Sequence, residues 1–165
     1  MLNSAGLLDE LKLLGIDYAI EHHEQIFTMA DSEALDLSLD GMRCKNLLLR
    51  DRKGNHYLVM TTAEKSVDLA QLSKALGCGR LSLASRERLY ELLGVLPGAL
   101  SPLALTNDDQ GHVALVIDVE VKSASHYVLH PLDSGASLQL SKDSLERFLA
   151  NNQHDISWVA IEARS

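Results

Sequence analysis

The sequence lacks the marks of several common protein classes. Its two cysteines, Cys44 and Cys78, fit neither a disulfide framework nor the paired spacing of a zinc site, so both are expected to be reduced thiols in or near the core. No apolar run approaches the roughly 20 residues that a membrane-spanning helix needs, and the N-terminal residues show no secretory leader pattern. These absences favour a cytoplasmic protein.

Signatures of nucleotide-dependent enzymes and of one class of serine hydrolase are also missing. The chain contains no GxxxxGK[ST] loop, no GxGxxG turn and no GxSxG elbow. His126 and His130 have the spacing of a metal pair on a helix, but Pro131 follows at once and the surroundings look extended. We therefore predict no metal and no cofactor. Catalysis would then depend on positioning, backbone donors and one or two charged side chains.

Positive charge is scarce in the chain as a whole. The net charge of −8 argues against a protein that coats DNA or long RNA, because affinity there grows with the number of phosphates neutralised. Contact with the end of an RNA stays open. Five of the 15 Lys and Arg residues fall in one short segment: Arg43, Lys45, Arg50, Arg52 and Lys53. This basic cluster is either an RNA-contacting surface or a hairpin edge whose charges prevent aggregation.

Apolar periodicity, caps and turns predict one domain in which helices and hairpins are interleaved. A hydrophobic fraction of 46% over 165 residues suits a single buried core. The clearest signal is a hairpin of strands 46–51 and 56–62, with Gly54 in its turn. Helices are predicted from Ser4 to Gly15, from Thr28 or Asp31, from Ser66 to Gly77, from Ser85 to Gly94 and after Ser141. Other strands are predicted over 17–22, 80–84, 102–106, 112–120, up to His130, 137–141 and 156–163, around an irregular segment 94–102.

These elements do not follow a regular βαβ rhythm. We therefore predict an α+β (mixed α/β) fold with a central mixed, mostly antiparallel β-sheet flanked by helices, rather than a Rossmann fold.

Three segments together resemble a known family. They are HHEQIFTMADSEAL (22–35), GMRCKNLLLRDRKGNHYLV (41–59), and the pair GVLPGALSPLALTND (94–108) with LHPLDSGASLQLSKDSLERFL (129–149). In this order they resemble the YbaK/ProX family of prolyl-tRNA synthetase-associated editing domains, most closely its free-standing Ala-tRNA(Pro) deacylase branch. The resemblance implies a single aminoacyl-tRNA editing domain over 1–165. It also implies a mixed sheet, no cofactor, and hydrolysis of mischarged tRNA in trans.

The resemblance also implies which residues form the site. The family's lysine falls on Lys45 and its histidine on His130, and the glycine-rich pocket loop brings Gly98, giving three candidate catalytic residues. The candidate substrate-binding residues are Asn46, Thr28, Pro97 and Ser101. The sequence departs from the usual pattern of the family in two places. Leu48 stands where a phenylalanine is common, and HPLDSGAS replaces the more usual HPLxNTAT. The HPLDSGAS segment lies beside the pocket. This departure therefore affects the prediction of which amino acid is removed more than the prediction of the reaction.

Each of these residue types suits the hydrolysis of an activated ester. Lys45 can contact the terminal phosphate or polarise the ester carbonyl, and Gly98 lets backbone N–H groups approach a ligand closely. Asn46 can accept from the substrate, and His130 can shape the amino-acid pocket. The residue types alone fit a surface lysine, a turn glycine, a strand-edge asparagine and a buried structural histidine equally well.

The expected substrate follows from the limits of a synthetase. A prolyl-tRNA synthetase cannot firmly exclude alanine, because missing methylenes are worth only about 1–3 kcal/mol, so a second pocket that admits small side chains corrects the error. We predict an Ala-tRNA(Pro) deacylase whose partners are the acceptor end of mischarged tRNA and, transiently, prolyl-tRNA synthetase. An editor of Cys-tRNA or Ser-tRNA and a non-catalytic aminoacyl-tRNA binding module are the alternatives.

Overall fold

The computed structural model describes residues 1–25 and 38–165. In these ranges eight strands form one mixed sheet, accompanied by four α-helices and two 3-10 helices. The strands are β1 (Ala19–His22), β2 (Met42–Arg50), β3 (His56–Thr62), β4 (Ser82–Leu83), β5 (Val113–Asp118), β6 (His126–Leu129), β7 (Ala136–Ser141) and β8 (Ile156–Val159). The α-helices are α1 (Ser4–Leu13), α2 (Leu69–Leu76), α3 (Arg86–Leu93) and α4 (Lys142–Asn151), and the 3-10 helices span Pro102–Asn107 and Val119–Ser123.

The strand order confirms the predicted mixed sheet. The order is β1-β7-β6-β2-β3-β5-β8, with β4 paired to β2 beside the main path. The pairs β2–β6, β3–β5 and β5–β8 are parallel, and the other four pairs are antiparallel. The predicted helix that begins at Thr28 or Asp31 lies outside the described residues. No helix in the described ranges is long and apolar enough to cross a membrane.

Two predicted helix caps are wrong by one or two residues. Asn3, not Ser4, caps α1, because its side chain accepts a hydrogen bond from the Gly6 N–H. Asp68, not Ser66, caps α2 in the same way. The caps predicted for the two later helices, Ser85 and Ser141, are confirmed.

The predicted strand 102–106 is also wrong, since residues 102–107 form a 3-10 helix. The Ser101 side chain accepts from the Leu103 N–H, and Pro102 stands at the first helical position, where its fixed φ and missing N–H are favourable. The run of apolar residues reflects burial on all sides rather than a strand. This short helix follows directly on the loop that contains Gly98.

Side-chain alternation along β2 divides the core into two clusters, one on each face of the sheet. Leu48 belongs to the larger cluster, which packs under α1, α3 and α4. Leu49 belongs to the smaller cluster, where Leu47 packs beside it and Leu72 of α2 covers it. The same alternation decides on which face each candidate site residue lies.

Candidate functional site

Lys45 and Asn46 are neighbours in β2 and therefore project from opposite faces of the sheet. Asn46 lies on the face of Leu48, and Lys45 lies on the face of Leu47, directly across from Thr61 of β3. The Lys45 Nζ donates a hydrogen bond of 2.5 Å to the Lys65 carbonyl. The lysine amine is thus held near the backbone that follows β3.

Two carboxylates near the end of β5 are paired with Lys65 rather than with Lys45. Lys65 Nζ lies 2.7 Å from Asp118 Oδ2 and 2.8 Å from Glu120 Oε1. Asp118 also accepts a 2.6 Å hydrogen bond from the Thr61 hydroxyl. Burial by itself would raise the pKa of Asp118, but the hydrogen bonds from Lys65 and Thr61 lower it below its ordinary value. Lys65 is therefore the lysine that pairs with these carboxylates, whereas the Lys45 amine is bonded to a backbone carbonyl.

Lys45 and His130 share a face of the sheet. Arg43 pairs in register with Val128 of β6, and Lys45 and His130 each lie two residues further along. Beyond this pair β2 and β6 diverge, since their parallel register covers only Met42↔Tyr127 and Arg43↔Val128. Lys45 in β2 and His130 just after the end of β6 lie on the two sides of this gap.

The predicted loop residues form a tight turn beside Asn46. The Ala99 N–H donates to the Leu96 carbonyl at 3.1 Å, and Gly98 has a φ of 92°. Pro97 before a glycine of positive φ is the pattern of a type II turn, whose own hydrogen bond leaves the Gly98 N–H unused. A cavity of about 300 Å³ adjoins the turn and is lined by Asn46, Leu48, Arg86, Leu89, Pro97 and Gly98, among others.

Ser101 lies beneath this loop rather than in the cavity. It is fully buried, and its Oγ donates to the His130 carbonyl at 2.8 Å. The same oxygen accepts from the Leu103 N–H at 3.2 Å. The serine therefore connects the Gly98 loop to the strand end that carries His130.

A second, smaller cavity opens in the gap between β2 and β6. Its lining includes Arg43, Cys44, Asn46, Val128, His130 and Ser137. The free volume is about 20 Å³, enough for one water molecule or a group of that size. Asn46 lines both cavities, and its buried Oδ1 has no hydrogen-bond partner among the described residues. A buried acceptor left unsatisfied is costly, which favours a donor from a bound ligand or water.

His130 is held in one orientation and in its neutral form. Its Nδ1 donates to the Ala136 carbonyl at 2.9 Å. Burial is the main cause that lowers the pKa of His130, and the hydrogen bond to Ala136 opposes it only in part. The neutral ring then keeps its Nε2 as an acceptor.

We expect the His130 ring to titrate below its ordinary pKa of 6.5 in the folded protein. Between the two pKa values the unfolded chain binds a proton that the folded chain does not, so the free energy of unfolding falls as the pH drops through this window. The contribution of His130 is fully present above pH 6.5. An NMR titration of the ring, assigned by comparison with His130→Asn, measures the midpoint. A midpoint at or above 6.5 would contradict the prediction.

The sequence analysis missed two polar residues at the small cavity. His23 Nε2 lies 2.8 Å from the Ser137 hydroxyl, and the His23 Nδ1 lies 2.7 Å from the Glu24 carbonyl. Ser137 is buried and lines the cavity together with His130. In the sequence these residues stand in the HHE and GAS segments, which both belong to the stretches that carry the family resemblance but assign no role to His23 or Ser137. Thr28 lies outside the described residues.

The basic cluster does not form one surface in the fold. Arg43 and Lys45 lie near the two cavities, whereas Arg50, Arg52 and Lys53 lie at or next to the hairpin turn. At about 3.3 Å per residue the two groups are roughly 15 Å or more apart along the strand. Among the described residues, no three His, Cys, Asp or Glu side chains come together as a metal site.

Several known proteins are similar to this chain in sequence or in fold. A sequence profile of the aminoacyl-tRNA editing domain matches residues 23–148. The prolyl-tRNA editing protein ProX of Acetoanaerobium sticklandii is 36% identical over 146 residues, which cover 88% of this chain and 87% of that protein. Prolyl-tRNA synthetase associated domain-containing protein 1 of Danio rerio is 34% identical over 146 residues, covering 87% of this chain and 79% of its own.

Among solved structures, that of a candidate trans-editing enzyme for prolyl tRNA synthetase is similar with a TM-score of 0.70. The sequence identity is 18%, and the match covers 99% of each chain. At this identity the likeness concerns the fold alone.

Proposed function

The chain belongs to the aminoacyl-tRNA editing domain family, the YbaK/ProX family, and we propose that it is a deacylase that hydrolyses mischarged tRNA(Pro), foremost Ala-tRNA(Pro). Trans-editing of aminoacyl-tRNA is the activity of this family, and tRNA is its substrate. The finer proposal takes residues 1–165 as one editing domain acting in the cytoplasm without a cofactor. It binds the acceptor end of the tRNA, with a transient contact to prolyl-tRNA synthetase.

The observation that carries the proposal is that Asn46 lines both the cavity beside the Gly98 turn and the small cavity that His130 also lines, with Lys45 next to it in β2. Hydrolysis of an ester needs a placed water and donors that stabilise the oxyanion. The Gly98 N–H is a backbone donor that its turn does not use, and Lys45 supplies a positive charge that forms no ion pair within the described part of the chain. Neither group forms a covalent intermediate in this scheme.

In our proposal the two cavities that Asn46 lines bind different parts of the substrate. The larger one, of about 300 Å³, has mainly apolar walls and Arg86 at its side, which suits the terminal nucleoside of the tRNA. The smaller one lies beside His130 and receives part of the aminoacyl group. Because so little free volume is present there, a proline ring is excluded and a small residue is admitted.

A panel of charged tRNAs tests the proposed function. We expect the protein to release alanine from Ala-tRNA(Pro) faster than serine or cysteine from the same tRNA, and to leave Pro-tRNA(Pro) intact. Loss of the radiolabelled amino acid from the tRNA measures each rate against spontaneous hydrolysis. Faster loss of serine or cysteine would assign the protein to another small aminoacyl ester, and tight binding without any cleavage would make it a binding module.

A further inference from the structure

One tyrosine lies on the surface beside the larger cavity. Tyr90 of α3 is 58% exposed. The other tyrosine, phenylalanine and tryptophan side chains in residues 1–25 and 38–165 are buried or half-buried. Within the same ranges the Tyr90 side chain has neither a hydrogen bond nor a contact with another ring. Its ring is therefore available to a binding partner.

The position of Tyr90 in α3 places it on the side of the helix that adjoins the cavity. Leu89 and Leu93 are buried and mark the face of α3 that packs on the core. Residues four apart are neighbours on a helix surface, so Arg86 and Tyr90 form one row beside that face. Arg86 and Leu89 both line the larger cavity. Tyr90 therefore continues the row of Arg86 along the edge of this cavity.

Two exposed leucines extend this surface around the cavity. Leu83 of β4 lines the cavity itself. Leu96 stands directly before Pro97, which also lines it. Both leucines are exposed. With Tyr90 they form what we call the apolar rim (Leu83, Tyr90 and Leu96). Single exposed apolar residues are common on protein surfaces, whereas several around one cavity mark a binding site.

The charge beside the apolar rim favours an anionic partner. The Arg86 side chain forms no ion pair or hydrogen bond with another described residue. Arg88, on the other flank of the helix, is paired with Glu91 at 3.0 Å. An aromatic ring next to an arginine can bind single-stranded nucleic acid, because a base stacks on the ring while the guanidinium contacts a phosphate.

We infer that the apolar rim binds the single-stranded 3′ end of the tRNA. The Tyr90 ring stacks on the base that precedes the terminal nucleoside, and Arg86 contacts the phosphate between these two nucleotides. The inference rests on the proposed function, in which the terminal nucleoside occupies the larger cavity. The RNA strand leaves that cavity through its mouth, so the next base meets the rim.

This contact holds the RNA and takes no part in the hydrolysis itself. Tyr90 touches the base and not the ester, so its loss should appear in KM while kcat changes by less than about twofold. Stacking on an aromatic ring also tolerates any base, because every base has a π-face. The rim therefore positions the 3′ end without reading its sequence.

A pair of Ala-tRNA(Pro) substrates tests the inference. One is intact, and the other lacks only the base of the nucleotide that precedes the terminal one. We expect Tyr90→Ala to lower kcat/KM for the intact substrate by about 5- to 100-fold, the scale of one base stacked on an aromatic side chain. The wild type should lose as much on the abasic substrate. Tyr90→Ala should then lose less than about twofold more, because the variant and the substrate remove the same contact.

Matched variants separate this effect from a general loss of exposed surface. Tyr90→Phe and Tyr90→Trp keep an aromatic ring and should keep the activity. Leu13→Ala removes an exposed leucine of α1 and should have no effect. Because Tyr90 is exposed, Tyr90→Ala should unfold at the same temperature as the wild type.

The dependence of the activity on salt tests the role of Arg86. Arg86→Gln should reduce the slope of log kcat/KM against log salt concentration by about 0.7, the value for one phosphate contact on a single strand. Arg88→Gln removes the paired arginine of the same helix and should leave the slope unchanged. An unchanged slope in Arg86→Gln would contradict the phosphate contact.

Two results would overturn the inference while leaving the deacylase intact. One is a Tyr90→Ala variant as active as the wild type on the intact substrate, which would leave the apolar rim to a different partner. The other is a variant that slows the intact and abasic substrates equally, which would place Tyr90 against the terminal nucleoside instead. A wild-type protein that cleaves neither substrate would refute the proposed function, and the inference with it.

Discussion

Lys45→Ala is expected to lower kcat/KM for Ala-tRNA(Pro) by about 100- to 1,000-fold, the loss typical of one transition-state donor. Lys45 lies with Arg43 on the face of His130, and its only side-chain hydrogen bond in the described structure is to the Lys65 carbonyl. In the hydrolysis, negative charge develops on the carbonyl oxygen of the ester. Removing the amine should therefore raise the barrier while the protein stays folded. Single-turnover deacylation measures the loss.

Two further lysine variants test whether the loss of activity is specific to the Lys45 ammonium group. Lys45→Arg keeps the charge but not the compact ammonium geometry, so its activity should fall between those of the wild type and the alanine variant. Lys53→Ala removes an exposed lysine of the hairpin turn and should leave kcat/KM unchanged. Equal activity of Lys45→Ala and the wild type, at equal thermal stability, would contradict the assignment of Lys45.

Asp118→Ala is expected to cost about 3–5 kcal/mol of unfolding free energy, the effect of removing one partner from a buried ion pair. The Asp118 side chain is 0% exposed and that of Lys65 only 8%. Without the carboxylate, the Thr61 hydroxyl loses its partner, and the buried Lys65 ammonium keeps only the exposed Glu120 carboxylate and the Ile161 carbonyl. Urea unfolding followed by circular dichroism measures the difference.

Glu120 provides the matched control for this change. Its carboxylate also contacts Lys65, but its side chain is 60% exposed. Glu120→Ala should therefore change stability by no more than about 1 kcal/mol. The double variant Asp118→Ala/Lys65→Met removes both buried charges and should recover part of the loss. If the single Asp118 variant unfolded at the same urea concentration as the wild type, the pair would have no such role.

The elements with local signals could be predicted from the sequence. The hairpin around Gly54 and the later helices that follow Ser85 and Ser141 are confirmed, because a turn glycine and a capping hydroxyl act within a few residues. The strand predicted over 102–106 failed because periodicity cannot distinguish a strand from a short helix that is buried on all sides. The local signals for the helix, the Ser101 cap and Pro102 at its first position, were overlooked in favour of the apolar run.

The candidate site was predictable as a set of residues but not as an arrangement. The family resemblance assigned Lys45, Asn46, Gly98 and His130 to one site. Alternation of side chains along a strand already implied that Lys45 and Asn46 project from opposite faces. The pairing of His23 with Ser137 spans 114 residues and depends on the register of β1 against β7. No local pattern encodes such a register, so the contact between His23 and Ser137 appears only in the fold.

The contact between β2 and β6 is short, and this affects how such a protein can diverge in evolution. Two residue pairs join the half-sheet β1-β7-β6 to the half-sheet that begins at β2, and each half otherwise completes its own ladders. Substitutions along this seam can widen, narrow or recharge the cleft without breaking a ladder in either half. A duplicated copy is therefore able to acquire a new substrate range through few replacements, while the determinants of folding stay under separate selection.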